Sequence, residues 1–206
     1  MKKQIDKLDA TPSKRLFLSI IADYDLPKSI CELIDNGLDV WIRGGKAKGI
    51  TVNVVLDKTQ QTIRVEDNAG GLQKSELRYI VGPGQTGTNP TDATIGIFGV
   101  GTKRAVVALA QDIKIITRYA KEKTYQIDFD DKWLADDDWE LPIYEVDQIA
   151  EGTTFVELQK LRIQITDEAI AQLHEHLRTT YARFLANKAL TLKLNGEGLL
   201  PQFFEN

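Results

Sequence analysis

From Ile30 to Asp39 the chain reads Ile-Cys-Glu-Leu-Ile-Asp-Asn-Gly-Leu-Asp, and its polar residues are spaced for one face of a helix. At about 100° per residue, Glu32, Asp35, Asn36 and Asp39 fall within an arc of roughly 100°. Ile30, Leu33, Ile34, Leu38 and Trp41 take the opposite side. An ordinary exposed helix intersperses lysines for i,i+4 pairing. Between Glu32 and Asp39 three acids and an amide stand with no base interspersed, and crowded carboxylates repel. A hard cation relieves that repulsion: one or two side-chain oxygens, with water completing the shell, suit Mg2+ carrying phosphates. A solvated acidic stripe accounts for this segment alone equally well.

Several glycine-rich strings bear on the same chemistry. In Val65-Glu66-Asp67-Asn68-Ala69-Gly70-Gly71 an acid ends a strand-like run, and the glycines after it let a ligand ring approach the backbone. A carboxylate there can accept a hydrogen bond from an exocyclic amine; taken alone, the string also reads as an ordinary Asn/Gly turn. Gly82-Pro83-Gly84-Gln85-Thr86-Gly87 has the letters of a dinucleotide fingerprint, but proline fills its second position and no helical pattern follows. Gly96-Ile97-Phe98-Gly99-Val100-Gly101-Thr102-Lys103 has P-loop glycine spacing, yet Gly-Thr-Lys stands where Gly-Lys-Thr is required. Both readings are rejected. Gly96, Gly99 and Gly101 nevertheless precede a helix with Lys103 and Arg104 in its first turn, where free N–H groups and the helix dipole favour an anion. A tight turn with close packing is the alternative.

The elements that must position these groups are legible in outline. Thr11-Pro12 opens a helix through about Asp23, and Asp25-Leu26-Pro27 opens a second that runs to about Arg43, where Gly44 and Gly45 end it. Ile50–Leu56 and Thr62–Glu66 alternate as strands and form an antiparallel hairpin. Ser75–Val81 reads as a short helix, 82–94 as a loop long enough to be functional, and Gly101–Ala110 as a helix. Ile113–Arg118, Thr124–Phe129 and Thr153–Leu158 read as strands. A long helix from Asp167 carries Ile170, Leu173, Leu177, Tyr181 and Phe184 on its apolar stripe, and Leu190–Leu194 is a last strand. This order predicts an α+β fold, a two-layer α/β sandwich with a mixed, mostly antiparallel sheet.

With 206 residues, 42% hydrophobic and 27% charged, the chain fits one domain behind a flexible segment at residues 1–12. No apolar run is long enough to suggest a membrane span, and the N-terminus lacks the apolar stretch of a secretory signal. A single cysteine rules out an internal disulfide, and these features together predict a cytoplasmic protein. The net charge of −4 argues against gripping a phosphate backbone by bulk electrostatics.

Four motifs in order resemble the GHKL (Bergerat-fold) ATPases, the superfamily of gyrase, heat-shock chaperone, histidine kinase and MutL nucleotide-binding domains. They are Glu32-x-x-x-Asn36-x-x-Asp39, Asp67-x-x-Gly70-Gly71, Gly96-x-x-Gly99-x-Gly101 and Gly152-Thr153-Thr154 leading a late strand. The resemblance runs from about Ser13 to Asn195. It implies ATP bound between the helices and a lid, with Asn36 on Mg2+ and Glu32 orienting or deprotonating the attacking water. Asp67 would take the adenine amino hydrogen, Thr153 would assist through water, and Gly71 would let the base lie close. Residues 82–101, with Gly96, Gly99, Val100 and Gly101 at the nucleotide, would form the lid. Lys103 sits where MORC-type members place a phosphate-binding lysine, and Asp35 and Asp39 support water, metal or helix geometry. Glu32 with Asp39 favours the hydrolytic branch over the kinases. Members commonly dimerise when ATP orders the lid and N-terminal segment, here Met1–Arg15, which implies an ATP-dependent homodimer. A nucleotide-sensing module with little turnover is the alternative.

The resemblance also has departures. Ala69 stands one residue off the commonest Asp-x-Gly-x-Gly form, and the lysine that gyrase and MutL supply from a following transducer domain has no counterpart here unless Lys103 serves. The chain is therefore expected to be the N-terminal part of a longer protein or a truncated subunit, with any DNA contact lying outside it. The acidic run Asp128, Asp130, Asp131, Asp136, Asp137 and Asp138 lacks EF-hand spacing and, with Trp133 and Trp139, reads as a structural loop. Cys31 is expected to be a buried inert thiol, and His174 and His176 surface residues.

Overall fold

The computed structural model describes residues 24–46, 48–81, 101–136 and 138–203. Asp25 starts the first described helix: its carboxylate accepts the Lys28 N–H at 2.9 Å, a cap that contributes about 1 kcal/mol. Pro27 occupies the first turn, where a missing N–H is no loss, and α1 (Leu26–Arg43) closes on Gly44. Leu26, Ile30, Leu33, Ile34 and Leu38 are all buried, as the apolar stripe predicts.

The strands β1 (Ile50–Asp57) and β2 (Thr62–Asp67) form the expected antiparallel hairpin, with Val54 opposite Val65. A short 3-10 turn at Lys74–Glu76 and α2 (Arg78–Val81) replace the single helix expected there. At the start of that turn the Glu76 carboxylate reaches back to the Gln73 N–H at 2.8 Å, a capping-box contact. Next, α3 (Gly101–Leu109) runs directly into β3 (Ala110–Arg118). Then come β4 (Thr124–Asp130), α4 (Asp131–Ala135), β5 (Tyr144–Val146) and β6 (Thr153–Leu161). The chain finishes with α5 (Asp167–Thr180), α6 (Ala182–Ala186), β7 (Leu190–Leu194) and β8 (Glu197–Gly198).

Among the described residues, eight strands form one sheet in the order β5-β4-β3-β6-β2-β1-β7-β8. Every pairing is antiparallel except β1 with β7, so the sheet is mixed and the α+β expectation is met. Alternation sorts its faces. Val52, Val54, Ile63, Val65, Ile113, Ile115, Val156 and Leu158 are buried, and α1 packs on β1 and β2 while α3 and α5 pack against α1. The opposite face is polar: Glu157 lies 3.5 Å from Arg64 and 3.8 Å from Lys114.

The C-terminal helix differs from expectation. Tyr181 leaves helical geometry and ends α5, yet its carbonyl accepts the Leu185 N–H at 3.0 Å and restarts the chain as α6. The apolar stripe therefore spans two helices. Sequence periodicity missed α4, β5 and β8, each five residues or shorter. The acidic run has structural uses: Asp130 caps α4 through the Trp133 N–H, and Asp138 accepts the Glu140 N–H, both at 2.9 Å. Trp133 packs between Phe129 and Trp139, at ring distances of 5.5 and 5.9 Å. The expected helix from Thr11, the segment Met1–Arg15 and the lid from 82 to 100 lie outside the described residues.

Candidate functional site

The polar face of α1 is held from three directions. Within the helix, Asn36 Nδ2 donates to the Glu32 carbonyl at 2.5 Å, and among the described residues no donor reaches Asn36 Oδ1. From the N-terminal side the Tyr24 hydroxyl donates to Glu32 Oε1 at 3.3 Å. From the junction of α5 and α6 the Tyr181 hydroxyl donates to Asp35 Oδ1 at 2.7 Å and lies 3.1 Å from the Cys31 carbonyl. Burial pushes the Asp35 carboxyl up to about 6; the tyrosine hydrogen bond opposes this, while Glu32 and Asp39 add to it. Burial and the adjacent acid hold Tyr181 far above its ordinary range, so its hydroxyl stays protonated. Asp39, which the helical wheel places on the polar face with the half-buried Glu32 and Asp35, is itself buried, at 7% exposure. Burial also lifts the Cys31 thiol to about 11, consistent with an unreactive sulfur.

On the buried side of α1 stands the end of β2. The Asp67 carboxyl lies against α1 at Gly37, where an added Cβ would sit 3.3 Å from its Cγ. Asp67 Oδ1 accepts the Ala69 N–H at 2.9 Å. Burial beneath the helix pushes this carboxyl up to about 7, only partly offset by that N–H. In the sheet register Asp67 faces Thr154, and Thr154 faces Thr117 on β3. The Thr117 and Thr154 hydroxyl oxygens are 3.0 Å apart, and Thr117 Oγ1 also accepts the Leu72 N–H at 2.9 Å. Thr153, the threonine expected beside the base, is buried and presents its carbonyl to the Thr117 hydroxyl at 3.3 Å.

The loop after Asp67 is tied to two neighbouring strand ends. Gly70 N–H donates to the Gly152 carbonyl, and Gly152 N–H donates to the Arg118 carbonyl, both at 2.9 Å. Gly71 adopts φ +71°, and a Cβ there would lie 2.1 Å from the Arg118 carbonyl oxygen. The fold therefore demands this glycine independently of any ligand. Gly101 opens α3 and Lys103 follows in its first turn, on a helix that packs along α1. Gly96, Gly99 and Val100 lie outside the described residues.

The structure thus gathers Glu32, Asp35, Asn36 and Asp39 on one helix, with Asp67 packed against that same helix and the Gly152 turn bonded to the loop that follows Asp67. Sequence reasoning missed Gly37, Thr117 and Tyr181. Gly37 carried a signal, since a glycine inside a helix costs about 1 kcal/mol and needs a packing reason. Thr117 and Tyr181 depend on strand register and helix docking, which local pattern does not encode.

A mixed sheet covered on one face by helices, with an acid-and-amide helix packed on a strand-end aspartate, is the architecture of a GHKL-type ATPase domain. The family described as histidine kinase-, DNA gyrase B-, and HSP90-like ATPase matches residues 24–163, more than half of the chain, and the chain belongs to it. It is 29% identical over 92 residues to Protein MICRORCHIDIA 4 of Arabidopsis thaliana, a stretch covering 44% of this chain and 11% of that protein. Its fold resembles the ATPase and transducer domains of DNA topoisomerase II from Balamuthia mandrillaris, with a TM-score of 0.65 and 18% identity. That likeness covers 85% of this chain and 48% of the topoisomerase chain. The chain thus spans about half of the one and about a tenth of the other. Among the described residues no helix is long and apolar enough to cross a membrane.

Proposed function

We propose that this domain binds ATP with Mg2+ and hydrolyses it, with Glu32 as the general base. The observation that carries the reading is the packing of Asp67 against the helix that bears Glu32 and Asn36, within a family of ATPases. One hydrogen-bonding carboxylate at the strand end suits the adenine amino group, and the helix face suits the triphosphate end. Asn36 fits a cation ligand because its amide nitrogen is tied to the Glu32 carbonyl and, among the described residues, its oxygen accepts no hydrogen bond. Among the described residues no group of three His, Cys, Asp or Glu side chains could hold a metal by itself. A single protein oxygen with phosphates and water is how Mg2+ is commonly held at nucleotide sites. When bound, the ion would neutralise charge on the transferring phosphoryl group.

The roles of the chain's own groups follow. Glu32 accepts a proton from the water that attacks the γ-phosphorus; Lys103 and the N–H groups of Gly96, Gly99, Val100 and Gly101 bind phosphate oxygens. Gly71 and Thr153 line the base end, and Asp35 and Asp39 support the helix face. Lid ordering would drive homodimer closure, and DNA contact would lie outside this chain. A cytoplasmic location remains part of the proposal. Phosphate release with Mg-ATP, abolished by chelator, is the expected result. ATP binding with no release from the wild type would instead favour a nucleotide-sensing module. Sizing with non-hydrolysable ATP tests closure: a shift to dimer is expected, and monomer alone contradicts it.

Asp67 makes the affinity pH-dependent. Only the ionised carboxylate is a full acceptor, and its pKa is lifted to about 7. Affinity should therefore rise with pH as the proton leaves, by about tenfold between pH 6 and pH 8. Titration at saturating Mg2+, where the phosphates are already ionised, checks this; a flat profile contradicts it.

A further inference from the structure

We infer that Tyr181 is a positioning residue for hydrolysis, its hydroxyl fixing the helix turn that carries Glu32 and Asn36 through Asp35 and the Cys31 carbonyl. This rests on the ATPase reading above and extends it to a part of the chain beyond residue 163, where the family match ends.

The geometry is specific. Tyr181 is 2% exposed, so ring and hydroxyl are both fixed by packing. It sits where α5 ends and α6 begins, with φ −99° and ψ 15°, a break that interrupts an otherwise continuous apolar stripe. The break is anchored on both sides: the Tyr181 N–H donates to the Leu177 carbonyl and its own carbonyl accepts from Leu185, both at 3.0 Å. The hydroxyl has one proton and two acceptors, Asp35 Oδ1 at 2.7 Å and the Cys31 carbonyl at 3.1 Å. Cys31 and Asp35 bracket Glu32 by one residue and three, and Asn36 follows directly. An oxygen held on each side of Glu32 limits rotation and sliding of that turn. Catalysis by positioning is sensitive to such limits, since a misplacement of about 1 Å costs up to about 100-fold.

The test is steady-state ATP hydrolysis by wild type, Tyr181→Phe, Asp35→Ala and the double variant, with ATP affinity and thermal midpoint measured alongside. Tyr181→Phe keeps the buried ring and deletes one oxygen. The expected result is kcat lowered by about tenfold with KM and ATP affinity within about twofold of wild type. The double variant should be no slower than the worse single one, because both changes remove the same contact. A lowered thermal midpoint with unchanged kcat, or additive losses in the double variant, overturns the inference. If Tyr181→Phe fails to fold, unchanged kcat in Asp35→Ala overturns it equally. Wild-type protein that binds ATP without turnover overturns the hydrolytic reading itself, and the positioning role of Tyr181 with it.

Discussion

Replacing Glu32 with Ala is expected to lower phosphate release by about 100-fold or more while leaving ATP affinity nearly unchanged. The reasoning is chemical. A positioned general base acts only as the proton moves, so its loss raises the barrier without removing a ground-state contact. Glu32 is half-buried, and among the described residues one hydrogen bond, 3.3 Å from Tyr24, is drawn on its carboxylate. Glu32→Gln is the closer comparison, since it keeps the shape and the acceptor oxygen but cannot take up a proton. Both variants should bind ATP as wild type does and turn over slowly. Equal phosphate release from wild type and Glu32→Ala would remove Glu32 from the proposed role, and weakened binding would recast it as a ligand contact.

The second large effect is on stability. Gly71→Ala is expected to destabilise the fold by roughly 3–5 kcal/mol, a large share of the 5–15 kcal/mol that holds a typical domain. Two costs combine. At φ +71° a side chain strains the backbone, and the new Cβ would meet the Arg118 carbonyl oxygen at 2.1 Å, its carbon at 2.6 Å and the Tyr119 nitrogen at 3.0 Å. Those atoms are backbone at the end of β3, and Arg118 also accepts the Gly152 N–H, so relief would pull that bond apart. Gly198 is the control, with open space around it and no positive φ. Urea denaturation should show a large loss for Gly71→Ala and a change within about 0.5 kcal/mol for Gly198→Ala. Similar midpoints for both would mean that the strand ends are looser than the structure depicts.

The two predictions also mark where the sequence could be read and where it could not. The helix with two faces was fully legible, because the apolar period, the Asp25 cap and the Gly44 stop all agree, and the structure reproduces it from Leu26 to Arg43. The hairpin and the central strands were equally plain, because their alternation matches one buried face. Short elements were not: α4, β5 and β8 hold too few residues for any period to register. Nor could pattern reveal that β7 lies parallel to β1, since that pairing is set by how α5 and α6 carry the chain back across α1. Asp39 shows a further limit. Its place on the wheel, between Asp35 and Glu32, puts it on the polar face with half-buried neighbours, yet the fold buries it at 7% exposure.

The site was legible in its letters and less so in its packing. Glu32, Asn36 and Asp67 were found from residue type and spacing. What lies around them comes only from tertiary contact: Gly37 giving the Asp67 carboxyl its place, Thr117 and Thr154 sharing a register, Tyr181 reaching Asp35 from more than 140 positions away. Gly71 is an intermediate case. Sequence reasoning marks it as a position of close approach, and the structure identifies the approaching group as the backbone of β3.

Calorimetric titration of Mg-ATP into wild type and Asp67→Ala tests the central claim most directly, with folding of both proteins checked by circular dichroism. The account predicts saturable one-site binding to the wild type and none detectable in the variant. Equal binding by both, or a folded wild type that gives no heat with Mg-ATP, would contradict it.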